Sequence, residues 1–205
     1  MAKRRYDQRA RAEGAEETRR RILEAAYARL REAPAEPLNV DRVARAAGVA
    51  RSTVYLVFGS RAGLFEALGA DLMRRDAYAR LLEAVALPDA RDSLRGGIRA
   101  GVEMFAADTP VVRALYTMSR LDPEAVGGMI QRIEQERSRG TARLARRLAE
   151  QGALRPGVTA DDAAALLWVL TGFDAFDLLR TGKGLSVDET ARTLIEAAER
   201  ALTTS

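Results

Sequence analysis

Apolar positions recur at helical intervals along almost the whole of this chain. Ile22, Leu23, Ala26, Tyr27 and Leu30 form one stripe, with Arg19, Arg20 and Arg29 mostly off it. That spacing predicts a first helix over residues 18–32, with Thr18 as its N-cap. The prolines of Ala33-Pro34-Ala35-Glu36-Pro37 end it, since neither can donate the backbone bond a helix interior needs. Val40, Val43, Ala44 and Ala47 begin a second stripe, capped by Asn39 and with Asp41 in a favourable first turn. Gly48 then suits the positive φ that a tight helix–helix turn commonly requires, and Val49, Thr53, Val54 and Phe58 open a third face. Two short amphipathic helices joined this way have the layout of a helix-turn-helix, whose second helix can lie in a DNA major groove. The same periodicity also describes an αα-hairpin in any helical domain.

Ser60 is placed to cap a longer helix carrying Leu64, Phe65, Leu68 and Leu72 and continuing to Leu81 and Leu82, with its first clear break at Pro88-Asp89. Leu64, Phe65 and Leu68 are expected to close a small head from below, which puts the functional boundary near Leu68 without a flexible linker. Beyond it the patterns remain helical: residues 90–107, then a segment opened by Thr109-Pro110, then a long polar helix over 125–151 ended by Gly152 and Pro156-Gly157. An apolar helix starting at Asp161 or Asp162 is expected to run to Leu179, and a last one over 187–202 carries Ala191, Leu194, Ile195, Ala198 and Leu202 on one face. These two helices either complete a monomer core or cross a two-fold axis into a four-helix bundle. No strand pattern or internal repeat is visible, so the expected fold class is all-α.

Composition narrows the chemistry. At 205 residues the chain has room for one large domain or two small ones, and 47% apolar residues argue against disorder. The absence of Cys and His removes disulfides, thiolate nucleophiles, imidazole bases and the usual zinc sites. No metal site, cofactor or catalytic residue is expected. No apolar run is long enough to span a bilayer and no secretory segment follows the basic N-terminus, so the expected location is cytoplasmic. Residues 1–65 hold 14 Lys/Arg against 8 Asp/Glu, whereas the remainder holds 19 against 21. A basic head on a slightly acidic body suggests that the head alone meets a polyanion, nucleic acid or membrane surface. Lys3, Arg4, Arg5, Arg9 and Arg11 crowd residues 1–17, read as a flexible arm that either reaches phosphates or is a solvated terminus.

One ordered combination is far more specific than a generic helix-turn-helix. The helix over 18–30, the run Val40-Asp41-Arg42-Val43-Ala44-Arg45-Ala46-Ala47-Gly48-Val49 and the run from Arg51 through Thr53-Val54-Tyr55 and Phe58-Gly59-Ser60 to Arg61 are followed by Leu64 and Phe65. This resembles the DNA-binding domain of the TetR family of bacterial transcriptional regulators, strongly over residues 18–68 and more weakly beyond. The resemblance implies an N-terminal helix-turn-helix domain over 18–68, after an arm at 1–17, joined to a helical effector-binding and dimerisation domain over 69–205. It implies a homodimer on double-stranded operator DNA, without membrane association, and most simply a repressor released by a small, partly apolar effector.

Carried onto this chain, the family pattern makes Val43, Ala44, Ala47, Val49, Thr53 and Phe58 structural. Arg51, Ser52 and Leu56 are the candidate base-facing positions: guanine or phosphate for Arg51, a flexible polar contact for Ser52, a thymine methyl for Leu56. Tyr55 either contacts phosphate or packs on the first helix. Arg61 stands where the family commonly has Lys and is the foremost phosphate candidate, with Thr18, Arg4 and Arg5 approaching the same backbone. Each of these residues is otherwise a solvated position. Ala50 and Val57 depart from the family's usual Ser and His or aromatic residue, removing a cap and a polar contact.

In the body, Met104, Phe105, Tyr116, Met118, Trp168 and Phe173 are candidate effector contacts or ordinary core. Leu166, Leu170, Phe173, Ala191, Leu194 and Ala198 are candidate dimer contacts. The rival readings are a ligand-independent regulator or an activator and, more remotely, an enzyme using Asp161, Asp162, Asp174 and Asp177 or a basic membrane-surface protein. The four aspartates lack a recognisable acid–base or metal spacing, and no long amphipathic anchor accompanies the basic head.

Overall fold

The computed structural model describes the backbone of residues 2–204 and the side chains of residues 13–204. Among the described residues there are eleven α-helices, two π-helical turns and no strand, with one isolated bridge between Leu154 and Thr203. The helices are α1 (Ala2–Glu32), α2 (Val40–Ala46), α3 (Arg51–Phe58), α4 (Arg61–Leu72), α5 (Asp76–Val85), α6 (Ala90–Ala107), α7 (Thr109–Leu121), α8 (Gly128–Glu150), α9 (Ala160–Leu170), α10 (Phe173–Asp177) and α11 (Val187–Leu202). The all-α expectation is met.

The chain forms two compact units. One comprises residues 1–71 and 113–130, the other 72–112 and 131–205. In the first, α1 packs on α2 and α2 on α3, and the buried side chains include Ile22, Ala26, Tyr27 and Leu30 of α1, Val43 and Ala44 of α2, Val54 of α3 and Leu64, Phe65 and Leu68 of α4. The Tyr27 hydroxyl donates to the Leu68 carbonyl at 3.0 Å, so the largest polar group in this core is satisfied. Met129 lies against Gly69, where a β-carbon would come 2.5 Å from its Cγ. The second unit is built on α6, which packs against α5 and α11. Gly96 and Gly97 let α5 approach closely: β-carbons there would sit 3.3 Å from Ala84 and 3.0 Å from Val85. Phe105, Phe173 and Phe176 form an aromatic cluster with centroids 5.5–5.9 Å apart.

Four expectations require correction. Helix α1 begins at Ala2, so residues 2–17, expected as a flexible arm, are its first turns. Thr18 is inside the helix, its hydroxyl donating to the Gly14 carbonyl at 2.8 Å instead of capping. Residues 2–17 contain no proline and no β-branched residue, and Lys3/Asp7, Asp7/Arg11 and Arg9/Glu13 are four apart. Helix propensity and favourable charge spacing therefore outweigh the crowding of basic residues.

The helix expected from Ser60 to Leu82 breaks after Leu72, where Arg75 adopts extended angles and Asp76 starts α5. Nothing in Met73-Arg74-Arg75 is a helix breaker; the separate packing of α5 on α6 decides it. The helix expected from Asp161 to Leu179 breaks at Thr171-Gly172. There Arg137 donates to the Trp168 carbonyl and the Thr171 hydroxyl to the Leu167 carbonyl, relieving the unpaired end of α9. The restart turns Phe173 and Phe176 toward Phe105.

The last helices are well delimited. Thr159 and Ser186 each form a reciprocal capping box, with Asp162 and Glu189. Hydrogen bonds from their cap residues hold both carboxyls below the usual carboxylate range.

Candidate DNA-binding surface

The surface is assembled by two short helices held very differently. At the start of α2 the Asn39 side chain accepts from the backbone N–H groups of Asp41 (2.8 Å) and Arg42 (3.2 Å). The helix buries Val40, Val43 and Ala44. The turn follows at Gly48, with φ of 66°, and Val49 N–H returns to the Ala44 carbonyl at 3.0 Å. Helix α3 then starts at Ala50, whose extended angles are those of a cap but whose methyl offers no acceptor. In α3 only Val54 is buried, while Thr53, Tyr55, Val57 and Phe58 are half-buried and Arg51, Ser52 and Leu56 face solvent.

Leu56 is 86% exposed, although the residues around it include a core valine and a half-buried phenylalanine. An apolar side chain left in water on the outer face of such a helix is what contact with a thymine methyl requires. Beside it, Arg51 donates to both Asp41 carboxylate oxygens (3.0 and 3.3 Å) and to the Tyr55 hydroxyl (3.3 Å), with its guanidinium 5.5 Å from the Tyr55 ring centre. The hydrogen bond to Tyr55 and then the Asp41 charge raise its pKa above the ordinary guanidinium value. Arg51 is thus an exposed cation oriented by two neighbours.

The far end of α3 is closed by Gly59, with φ of 73°, and Ser60, whose Oγ accepts from Gly63 N–H at 2.9 Å. A β-carbon on Gly63 would overlap the Phe58 carbonyl oxygen, so glycine is required for α4 to start this close to α3. Arg61, in the first turn of α4, pairs with Asp122 of the α7–α8 connection and lies over the Phe65 ring at 5.6 Å. Its Nε is buried without a hydrogen-bond partner.

The structure brings Arg51, Ser52, Tyr55 and Leu56 onto one short helix and Arg61 to the start of the next. Thr18 is half-buried on α1, and the side chains of Arg4 and Arg5 lie outside the described residues. Asp41 and Asp122 as partners of the two key arginines were not anticipated: ten and 61 residues separate them in sequence, and no periodicity links such positions.

The body candidates are divided. Phe105 and Phe173 share the aromatic cluster with Phe176, which sequence reasoning did not single out for an effector role. Met104 is half-buried, and Trp168 is 44% exposed under the Arg137 guanidinium, 4.9 Å from the ring centre. Tyr116 and Met118 belong to the other compact unit, with the helix-turn-helix. Of the dimer candidates, Phe173, Ala191, Leu194 and Ala198 are buried within the chain itself, and Leu166 and Leu170 are half-buried. The amphipathic stripe of α11 is therefore spent on its own α6 and α9, leaving Trp168, Val169 and Leu178 as the large exposed apolar side chains of this region.

No helix among the described residues is long and apolar enough to cross a membrane. Residues 22–68 match the family model described as bacterial regulatory proteins, tetR family. Among solved structures, the chain is similar to NalD, the secondary repressor of the MexAB-OprM multidrug efflux pump in Pseudomonas aeruginosa. That likeness has 26% identity, covers 94% of this chain and 99% of that one, and gives a TM-score of 0.71. The TetR-family transcriptional regulator PfmR from Thermus thermophilus matches with 22% identity over 89% of this chain and 99% of its own, with a TM-score of 0.65. A search of curated proteins by sequence gives no significant match. The exposed outer face of α3 on a tightly packed support, the family match over that same segment and the likeness along nearly the whole chain agree: residues 22–68 are a TetR-family helix-turn-helix domain, in a chain with the fold of TetR-family transcriptional regulators.

Proposed function

We propose that the protein is a homodimeric repressor, released from operator DNA by a small, partly apolar effector bound in the helical body. The observation that carries the DNA half is the outward set on α3, with Arg51, Ser52 and Leu56 free of the core while Val54 anchors the helix. Arg51 and Leu56 supply base contacts, Tyr55 and Arg61 phosphate contacts. The repressor role is supported by the likeness to NalD, itself a repressor. For the effector, the Phe105–Phe173–Phe176 cluster supplies apolar, polarisable surface, with Met104 as a further candidate. Exposed Trp168, Val169 and Leu178 are the proposed anchors of the dimer, in place of Leu194 and Ala198.

Selection of genomic fragments by the purified protein tests the reading. A shared two-fold symmetric sequence is expected, bound by a dimer in light scattering and released by an apolar effector that operator DNA in turn weakens by the same factor. Recovery of no preferred sequence at any salt concentration would remove it.

A further inference from the structure

We infer that Asp122 is an intramolecular stand-in for DNA phosphate, occupying the Arg61 guanidinium and weakening DNA binding until a phosphate displaces it; this rests on the DNA-binding reading above. The pair joins the first turn of α4 to the α7–α8 connection inside one compact unit, across 61 residues of sequence. An acceptor oxygen bearing negative charge is common to a carboxylate and a phosphodiester, and a guanidinium donates to either.

Three features make the contact exchangeable. It uses one Arg61 nitrogen, Nη1, whereas Arg20 meets both Glu17 oxygens with its Nη2 and adds an Nε bond. The Arg61 Nε–H is buried with no partner, so the present arrangement leaves part of its donor capacity unused. Both side chains also keep about a third of their surface in water, 30% and 33%, so neither is sealed from an incoming anion. Asp122 has a second task that does not need its charge: its other oxygen accepts from Ala125 N–H at 3.2 Å, capping the π-helical turn Pro123–Gly127. Asparagine can perform that task, while its neutral amide no longer competes as an anion for Arg61.

The consequence is measurable as affinity at unchanged salt dependence. Each phosphate neutralised in the complex contributes about 0.9 to the slope of log K against log salt, and Arg61 reaches the same phosphate whether or not Asp122 must first be displaced. Binding of the full-length protein to a labelled duplex of mixed sequence should be titrated at several salt concentrations. Wild type, Asp122→Asn, Arg61→Ala and the double variant are compared, with helicity and melting recorded for each. Asp122→Asn is expected to bind several-fold more tightly, on the order of fivefold near 0.1 M salt, with the slope of wild type.

That gain should shrink in the Arg61→Ala background to the smaller one from removing a negative charge near DNA. Asp122→Ser, which retains a capping oxygen, should repeat the result if the asparagine variant folds poorly. An equal gain with and without Arg61, no gain, or a loss matching Arg61→Ala would overturn the inference; the last would make Asp122 a support for Arg61. Wild-type protein that binds no duplex even at low salt would instead remove the DNA-binding reading, and this inference with it.

Discussion

Helices α2 and α3 are close in length and lie side by side in sequence, yet they are held in opposite ways. Helix α2 has a side-chain cap at Asn39 and three buried residues in its seven. Helix α3 has no side-chain cap, one fully buried residue, and three side chains left in solvent. The supporting helix draws its stability from its own cap and core. Helix α3 borrows its position from the Gly48 turn at one end and the Gly59–Gly63 junction at the other. Such a division leaves the outer face of α3 free of the demands of folding, as its proposed role on DNA requires.

The sharpest way to break this comparison is at Val54. Val54→Asp places an unpaired charge under α3 and should cost on the order of 3–5 kcal/mol, seen as a lower melting temperature with simultaneous loss of binding to all duplexes. Wild-type melting by this variant would mean that α3 is not anchored as described.

Next in size is the effect on reading. Arg51→Ala should erase about 1–3 kcal/mol of preference at one base pair per half-site, while Arg61→Ala weakens preferred and unrelated duplexes by similar factors. Binding to a panel of single-base operator variants decides this, and the reverse pattern would exchange the two roles. Asp41→Asn sharpens the same point, because loss of its charge should relax the orientation of Arg51 and blunt the same preference, leaving the others intact.

The smallest effects concern the caps. Asn39→Ala should lower stability by about 1 kcal/mol, because two backbone donors lose their acceptor. Ala50→Ser should raise it by about 0.5 kcal/mol, since position 50 already has the extended angles of a cap and lacks only the oxygen. Urea melts of the two variants measure both, and equal sensitivity at the two positions would erase the contrast between the helices.

Most of the head was legible from residue order because its determinants are local. Asn39 before Val40, Gly48 after Ala47 and the Val43/Ala44 spacing each act within about one helical turn, and the structure realises all three. The capped start of α11 at Ser186 and its apolar face were equally local. Charge crowding misled at residues 2–17, where the lack of proline and of β-branched residues favours continuing α1 backwards from Thr18 despite Gly14.

What residue order alone determined was the helical type of the elements and the turn between α2 and α3, which follow from backbone preference and from an apolar period that reports which side of a helix avoids water. The outward set Arg51, Ser52 and Leu56 came from the family resemblance, since an apolar period alone would have turned Leu56 inward. Tertiary structure decided what that apolar face packs against and which charges meet. It assigned Ala191, Leu194 and Ala198 to the chain's own core, broke the helices after Leu72 and Leu170, and set Asp41 on Arg51 and Asp122 on Arg61. The physical reason is range: propensity and capping act over a few residues, whereas packing and ion pairing depend on distances that only the folded chain sets.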